Sequence, residues 1–340
     1  MTGKYRLRNA ILAGGLLTFG LIEPAAAEEP FRLGLPVDCA PGRTCWIFHY
    51  VDHQPGPGLR DYMCGQATYN LPDGRGHQGT DFAIRDLAAM RAGVAVIAAA
   101  PGRVKATRDG MADRALSQAD TEALAGRDCG NGVLIEHGNS WSSQYCHMRK
   151  GSIAVRPDQV VEKGQRIGYV GLSGFTEFPH LHLTVRKDGE VIDPFVGQTR
   201  TERCGPGLRP LWEDGSLIPY RPTAIFNAGF SPQKPIPAKI RNGEYQQESL
   251  PVSAPALVLW AEMFNVRPGD RVTLRILGPD GEPFVEHTET LQRAQDYRTQ
   301  FAGRPLRSDA WPAGDYAGFV ELVRAGTPEP IREQRSITLR

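Results

Sequence analysis

Five of the eight histidines in this 340-residue chain are crowded between positions 76 and 194. They are His77, His137, His147, His180 and His182. Histidine is a common metal ligand and the usual general base near neutral pH. The crowding therefore indicates a metal site, a site of proton transfer, or both.

Two of these histidines, His180 and His182, lie together in a predicted strand. Side chains alternate along a strand, so both imidazoles project from one face. Two buried polar rings each need a partner, which a metal ion supplies. His77 and Asp81 stand four residues apart, and Gly79 between them permits a close approach. With one histidine of the pair they give three ligands and leave a fourth position open, as in catalytic zinc sites.

Hydrolysis at such a metal also needs groups that move protons and stabilise an oxyanion. The sequence contains no His-Glu-x-x-His motif, so the glutamate base of that peptidase type is missing. The unassigned member of the His180/His182 pair and His147, at the end of a neighbouring predicted strand, can share these two roles.

Antiparallel β structure is predicted around these residues, from position 68 to 194. Short apolar runs alternate with glycine-rich turns, which is typical of strands joined by tight turns. The predicted strands are 94–98, 103–106, 133–136, 142–147, 160–161, 166–171, 180–187 and 191–192. The sequence therefore predicts a mainly β fold for the domain that contains the site.

The sequence contains three motifs: His77-x-x-x-Asp81, Tyr145-x-His147 and His180-x-His182. They occur in the order found in the lysostaphin/LytM-type zinc endopeptidases of peptidoglycan, and the sequence resembles that family over residues 66–195. Further matches lie at 100–104, 161–168 and 193–194.

The resemblance implies that His77, Asp81 and His182 bind one zinc ion per chain and that His147 and His180 are the catalytic histidines. It also implies that the domain folds as an antiparallel β groove. His137 matches a family position that has no ligand role, so we assign it to structure.

The sequence departs from the family pattern at its extra cysteines and at an insertion, residues 109–128. Ser117 can cap a short helix in the insertion and Gly126 can end it. This helix is either a decorative loop element or a lid beside the cleft. Residues 175–178 replace a small, polar run, and we expect them to reshape the substrate groove.

The first 27 residues have the pattern of a signal peptide. Lys4, Arg6 and Arg8 precede an apolar run at 10–22 and three small alanines. The run is short for a membrane span of roughly 20 residues. We therefore expect no retained anchor. No cysteine stands directly after the cleavage point, so we expect no lipoprotein either. We therefore predict an exported protein, periplasmic or secreted, with no membrane span after cleavage.

Six cysteines behind an export signal predict three disulfides. No Cys-x-x-Cys pair supports metal-binding thiols. The predicted pairs are Cys129–Cys146, which flank a hairpin turning at 137–140, Cys39–Cys45, which enclose a Pro-Gly turn, and Cys64–Cys204, paired by elimination.

Turn signals and composition divide the rest of the chain into segments. Residues 28–65 form an N-terminal arm with disulfides, and residues 66–204 form the domain with the site. Residues 205–225 form a linker rich in proline and glycine. Residues 226–340 form a smaller immunoglobulin-like β-sandwich, in which 257–264, 271–277 and 316–322 are the predicted strands.

Besides His137, three histidines lie outside the motifs. His49 and His53, in the arm, have no ligand-like spacing, so we expect them on the surface or in packing roles. His287 is the only histidine of the predicted sandwich, which shows no catalytic grouping. We interpret the sandwich as a binding or spacing module and as a candidate surface for a regulatory protein partner.

Charge and motifs together favour one function. The formal net charge of +1 argues against a nucleic-acid-binding surface and a polybasic membrane patch. We expect a zinc endopeptidase that cuts peptide stems or cross-links of peptidoglycan. The alternative is a latent or regulatory protein of the same fold that binds cell wall or activates another wall hydrolase. Such members lack one or more of the five site residues, which are all present here. A zinc peptidase of secreted proteins would keep the site and change the substrate.

Overall fold

The computed structural model describes residues 1–3, 30–54, 56–71, 74–115, 124, 126–207, 209–213, 218–327 and 329–340. Most of the predicted signal peptide and most of the predicted helix in the 109–128 insertion lie outside these residues. Arg32–Arg340 form one compact unit. Neither helix in the described part of the chain has the length and apolar character needed to cross a bilayer.

The described residues form eighteen strands and two short helices. In chain order they are β1 (Cys45–His49), β2 (Thr80–Ile84), α1 (Leu87–Ala92), β3 (Ala95–Ile97), β4 (Gly102–Arg108), β5 (Asn131–Glu136), β6 (Trp141–Met148), β7 (Val160–Val161), β8 (Arg166–Tyr169), β9 (His180–Lys187), β10 (Glu190–Ile192), β11 (Ala224–Ser231), α2 (Pro237–Arg241), β12 (Ser249–Leu250), β13 (Ala256–Val266), β14 (Arg271–Leu277), β15 (Pro283–Thr290), β16 (Gln295–Pro305), β17 (Gly314–Val323) and β18 (Ile331–Leu339).

The site lies on a large antiparallel sheet. Its strands follow the order β1-β2-β9-β6-β5-β4-β7, and β10 pairs with β9 beside this path. The predicted mainly β, antiparallel architecture is therefore confirmed. One strand comes from the predicted arm, because β1 pairs with β2 at the edge of this sheet. The arm thus supplies part of the sheet itself.

The predicted hairpin and the three disulfides are present. β5 and β6 pair in antiparallel register around a turn at 137–140. Gly138, Asn139 and Ser140 in this turn have positive φ, a conformation that glycine and asparagine adopt more readily than most residues. Cystines join Cys39 to Cys45, Cys64 to Cys204 and Cys129 to Cys146.

The C-terminal part contains two further sheets that enclose one core. Their strand orders are β11-β13-β16 and β12-β18-β17-β14-β15. Buried apolar residues of both sheets, such as Leu259 on β13 and Leu274 on β14, share one hydrophobic cluster. The three strands predicted here are confirmed as parts of β13, β14 and β17. The immunoglobulin-like assignment and the domain boundaries stay predictions.

The sheet β11-β13-β16 packs against the face of the large sheet on which Asp81 lies. Ala83, two residues beyond Asp81 on β2, projects from the same face and is buried in a cluster with Trp46 of β1. Phe226 of β11 and Phe264 of β13 belong to the same cluster. The C-terminal part therefore covers the sheet directly beside the site.

Glu262 is a buried carboxyl group at this junction. It is 1% exposed on β13. It accepts hydrogen bonds from Asn227 Nδ2, at 3.3 Å, and from the Tyr297 hydroxyl. Burial raises the pKa of Glu262 to about 7, although the hydrogen bonds from Tyr297 and Asn227 partly oppose this shift. The folded protein therefore penalises the ionised carboxylate.

We predict that Glu262 makes the protein less stable as pH rises. Its pKa is about 7 when folded and 4.5 ordinarily, so between these values the folded state binds more protons and the free energy of unfolding falls with rising pH. The penalty is complete above pH 7 and amounts to roughly 3 kcal/mol. Glu262→Gln should therefore gain stability relative to wild type between pH 4.5 and 7.

Denaturant unfolding at pH 5 and pH 8, with the disulfides intact, measures this effect. Glu286→Gln is the matched control, because Glu286 is exposed on β15. An equal pH dependence in wild type and Glu262→Gln would contradict the assignment.

Candidate metal and catalytic site

Three neighbouring strands bring together the five residues singled out in the sequence. Asp81 on β2 lies directly opposite His182 on β9. On the other side of β9, His182 lies opposite Cys146 of β6, and His147 follows Cys146 at the end of that strand. His180 opens β9, two residues before His182 and on the same face. His77 approaches from the loop that precedes β2.

Three of these side chains converge on one point. His77 Nε2 lies 3.2 Å from Asp81 Oδ1 and 3.0 Å from His182 Nδ1. His182 Nδ1 lies 2.9 Å from Asp81 Oδ1. Tetrahedral zinc ligands with bonds of 2.0–2.1 Å are separated by roughly 3.3 Å, so the triangle is close to the size that zinc requires. Together, these residues could hold a metal ion.

The His77 and His182 rings each have a hydrogen-bond partner on the side away from the triangle. When that side carries the proton, the nitrogen that faces the triangle has a lone pair. The Tyr50 carbonyl accepts from His77 Nδ1 at 2.8 Å, so His77 Nε2 has no proton when the ring is neutral. The Thr184 hydroxyl lies 2.9 Å from His182 Nε2 and can accept its proton. When Nε2 donates to this hydroxyl, His182 Nδ1 is bare. Two nitrogen lone pairs and a carboxylate oxygen then face one another, an arrangement that a cation stabilises.

Asp81 is the charged centre of the site. Burial alone would raise its pKa, but the electrostatic effect of the neighbouring His77, His180 and His182 rings outweighs it. The pKa of Asp81 therefore lies well below its usual range. The carboxylate stays ionised at neutral pH and available as a ligand.

His147 reaches the site because its backbone is unusual. Its φ is +61°, a left-handed conformation that is uncommon for residues other than glycine and often found at functional sites. Normal strand alternation would turn His147 away from the face that holds His182. Its Nδ1 donates to the Ser173 carbonyl at 2.8 Å, which leaves Nε2 free. The His147 ring lies 4.6 Å from that of His180.

Burial and two neighbouring histidines lower the pKa of His147. Removal from water has the largest effect, and the nearby His180 and His182 rings add to it. The pKa of His147 lies well below its usual range. The ring is therefore neutral at neutral pH and can accept a proton.

His180 is held from both sides of its ring. Its Nδ1 lies 2.9 Å from the Phe178 carbonyl and 3.1 Å from the Thr176 hydroxyl. Its Nε2 lies 3.5 Å from Asp81 Oδ1. The Phe178 ring packs on the His180 ring at 4.6 Å and contacts the cluster shared with the C-terminal part. Phe178 belongs to the segment expected to reshape the groove, and it links His180 to the second set of sheets.

Two residues beside the site, His49 and Tyr69, were not predicted from the spacing. His49 is buried, and its Nδ1 lies 3.1 Å from Asp81 Oδ2. Tyr69 stacks on His77 at 4.5 Å. No motif identifies these residues, because they become neighbours of Asp81 only through the pairing of β1 with β2 and the course of the loop before β2.

His137 and His53 lie apart from the triangle and form hydrogen bonds with other residues. His137 Nδ1 donates to the Pro101 carbonyl at 2.7 Å, and its Nε2 lies 2.7 Å from the Ser143 hydroxyl. His53 Nε2 lies 2.8 Å from Asp193 Oδ2, and both side chains are fully buried. These contacts agree with structural roles for both residues.

Known proteins resemble the segment that contains the site. The model of peptidase family M23 matches residues 75–194, which confirms the family resemblance. Peptidoglycan DD-endopeptidase ShyA of Vibrio cholerae is 36% identical over 117 residues, which are 34% of this chain and 22% of the relative. DD-carboxypeptidase/endopeptidase Mpg of Neisseria meningitidis is 37% identical over 65 residues, 19% of this chain and 14% of the relative. The matches thus span less than a quarter of each relative's length.

Among solved structures, one neighbour is the catalytic domain of the antimicrobial peptidase lysostaphin from Staphylococcus simulans. It is 21% identical, with a TM-score of 0.29, and the alignment covers 43% of this chain and 89% of that domain.

We predict that Gly79→Ala weakens metal binding. A Cβ at Gly79 would lie 2.6 Å from His182 Nε2 and 2.6 Å from the Leu183 carbonyl. The carbonyl is part of β9 and cannot yield, so the His182 ring must shift out of the triangle. We expect affinity for Zn²⁺ to fall roughly tenfold or more. Titration of the metal-free protein with Zn²⁺ measures the change.

Gly34→Ala is the control for this substitution, because a Cβ at Gly34 would meet its nearest atom at 3.5 Å, an ordinary contact. Wild-type affinity in Gly79→Ala would show that the close approach at Gly79 is not needed to form the site.

Proposed function

We propose that the protein is a zinc-dependent endopeptidase that hydrolyses peptide stems or cross-links of peptidoglycan, since the model of peptidase family M23 matches residues 75–194. The observation that supports this most directly is the triangle of His77, Asp81 and His182. Its three ligand atoms lie within 3.2 Å of one another, with both imidazoles oriented by hydrogen bonds on their far sides.

The donor set fits zinc. Two imidazole nitrogens and one carboxylate oxygen are the ligands of many catalytic zinc sites, which keep a further position for water or substrate. Zinc bound there would polarise the scissile carbonyl and bring the pKa of a water towards neutral. In this proposal His77 contributes Nε2, His182 contributes Nδ1 and Asp81 contributes Oδ1.

His147 and His180 supply the proton chemistry in this proposal. Both rings donate Nδ1–H to a backbone carbonyl, so Nε2 of each neutral ring carries a lone pair that can accept a proton from the attacking water. A ring protonated in this way can donate Nε2–H to the developing oxyanion and later to the leaving amine. The two histidines can therefore share the roles of base and oxyanion donor.

The substrate class comes from the relatives. ShyA is named a peptidoglycan DD-endopeptidase and Mpg a DD-carboxypeptidase/endopeptidase. We propose peptidoglycan peptides as the substrate of this chain for that reason. The C-terminal sheets pack beside His180 through Phe178, so they are placed to contribute to substrate binding and to offer a surface to a regulatory protein.

We further propose that the protein works outside the cytoplasm. Three disulfides are formed in the described residues, and such bonds persist in oxidising compartments such as the periplasm. The signal-peptide pattern of residues 1–27 supports the same location. A periplasm fits best, and secretion would satisfy the same observations.

We predict that the mature protein converts cross-linked peptidoglycan fragments to monomers and that His147→Ala loses this activity while it retains zinc. Loss of a positioned acid–base group typically costs about 10²–10⁴-fold in rate, whereas His147 contributes no atom to the triangle. Digestion of purified peptidoglycan, with the products identified by mass spectrometry, measures both the activity and the bond that is cut.

Chelator-treated wild type is the control for zinc dependence in this digestion. Zinc bound without cleavage would favour the competing function, a latent or regulatory protein that binds cell wall or activates another hydrolase. Wild-type rates in His147→Ala would remove this residue from the mechanism.

A further inference from the structure

His49 lies where the backbone of β1 deviates from regular pairing. Ile47 pairs with Phe82, but the next pair is His49 with Asp81, so Phe48 is an extra residue in a β-bulge. Directly opposed residues of an antiparallel pair project from the same face, and bulges often redirect a side chain beside an active site. The bulge therefore places His49, instead of Phe48, next to Asp81.

The two oxygens of Asp81 have different partners. Oδ1 faces the ligand triangle, with His182 Nδ1 at 2.9 Å and His77 Nε2 at 3.2 Å. Oδ2 lies 3.1 Å from His49 Nδ1. A carboxylate only accepts hydrogen bonds, so His49 donates Nδ1–H to Oδ2. Among the described residues, His49 is the only hydrogen-bond partner of Oδ2.

We propose that His49 is a positioning residue that holds the Asp81 carboxylate in the orientation that presents Oδ1 to the metal. This inference rests on the proposed zinc site and extends it to a residue outside the three motifs. His49 contributes no ligand atom and acts only through Asp81.

The need for such a donor follows from the burial of Asp81. The carboxylate is about 2% exposed, so water does not replace a missing partner of Oδ2. The terminal torsion of an aspartate is broad and roughly two-fold, and without His49 the carboxylate can rotate and offer the metal either oxygen or both. Loss of a hydrogen bond to a metal ligand typically lowers metal affinity 10–100-fold.

The His49 ring is itself held in place. Tyr69 packs edge-on against it at 4.9 Å and stacks on His77 at 4.5 Å. One tyrosine thus contacts both the positioning histidine and a candidate ligand. These ring contacts would also fit a role for His49 in packing alone. Variants that keep or remove the N–H donated to Asp81 distinguish packing from positioning.

The test compares His49→Leu with His49→Asn, because the two new side chains have the same branching and the same number of heavy atoms. Asparagine retains an N–H close to the position of Nδ1, and leucine does not. His53→Leu is the control, since it breaks another buried histidine–aspartate pair, His53 with Asp193, away from the triangle. Zinc affinity is measured by competition with a chromophoric chelator, and the melting temperature of each metal-free variant reports on the fold.

We expect His49→Leu to bind zinc 10–100-fold more weakly than wild type and His49→Asn to recover most of this loss. His53→Leu should keep wild-type zinc affinity even where its melting temperature falls. Wild-type affinity in His49→Leu, or an equal loss in the leucine and asparagine variants, would overturn the positioning role. Those outcomes, with zinc bound by wild type, overturn the positioning role alone. Absence of zinc from the wild type would instead overturn the proposed function, so the two failures are distinguishable.

Discussion

The rest of the site depends on one constraint, which is that three proton-acceptor atoms face one another at about 3 Å inside the protein. Asp81 Oδ1, His77 Nε2 and His182 Nδ1 form this triangle. Each atom alone is an ordinary ligand, but the three together are unfavourable without a cation. The surrounding hydrogen bonds keep them in this arrangement, because they fix the protonated nitrogen of each ring on the far side.

Strand pairing explains how residues distant in sequence reach this point. Asp81 and His182 oppose one another across β2 and β9, and β6 brings His147 to the other side of β9. His147 then needs a left-handed backbone to turn back towards the site. The disulfide from Cys146, its neighbour, to Cys129 ties the residue before that turn to the segment that precedes β5. Next to His180, Phe178 packs against the core that the large sheet shares with the C-terminal sheets.

Much of this arrangement was predictable from the sequence. The alternation of a strand predicted that His180 and His182 share a face, and the hairpin flanked by Cys129 and Cys146 predicted their disulfide. The contact between His49 and Asp81 was not predictable, because it depends on a β-bulge, and a bulge leaves no periodic signal. Strand β11 was missed for a related reason: all eight of its residues are buried, so it lacks the alternation that marks a half-exposed strand.

The zinc content of the purified protein after extensive dialysis, compared between wild type, Asp81→Ala and His182→Ala, tests the central claim most directly. The account predicts one zinc ion per wild-type chain and loss of that zinc in both variants, because each would retain only two ligands. Full zinc occupancy in both variants, or no zinc in the wild type, would contradict it.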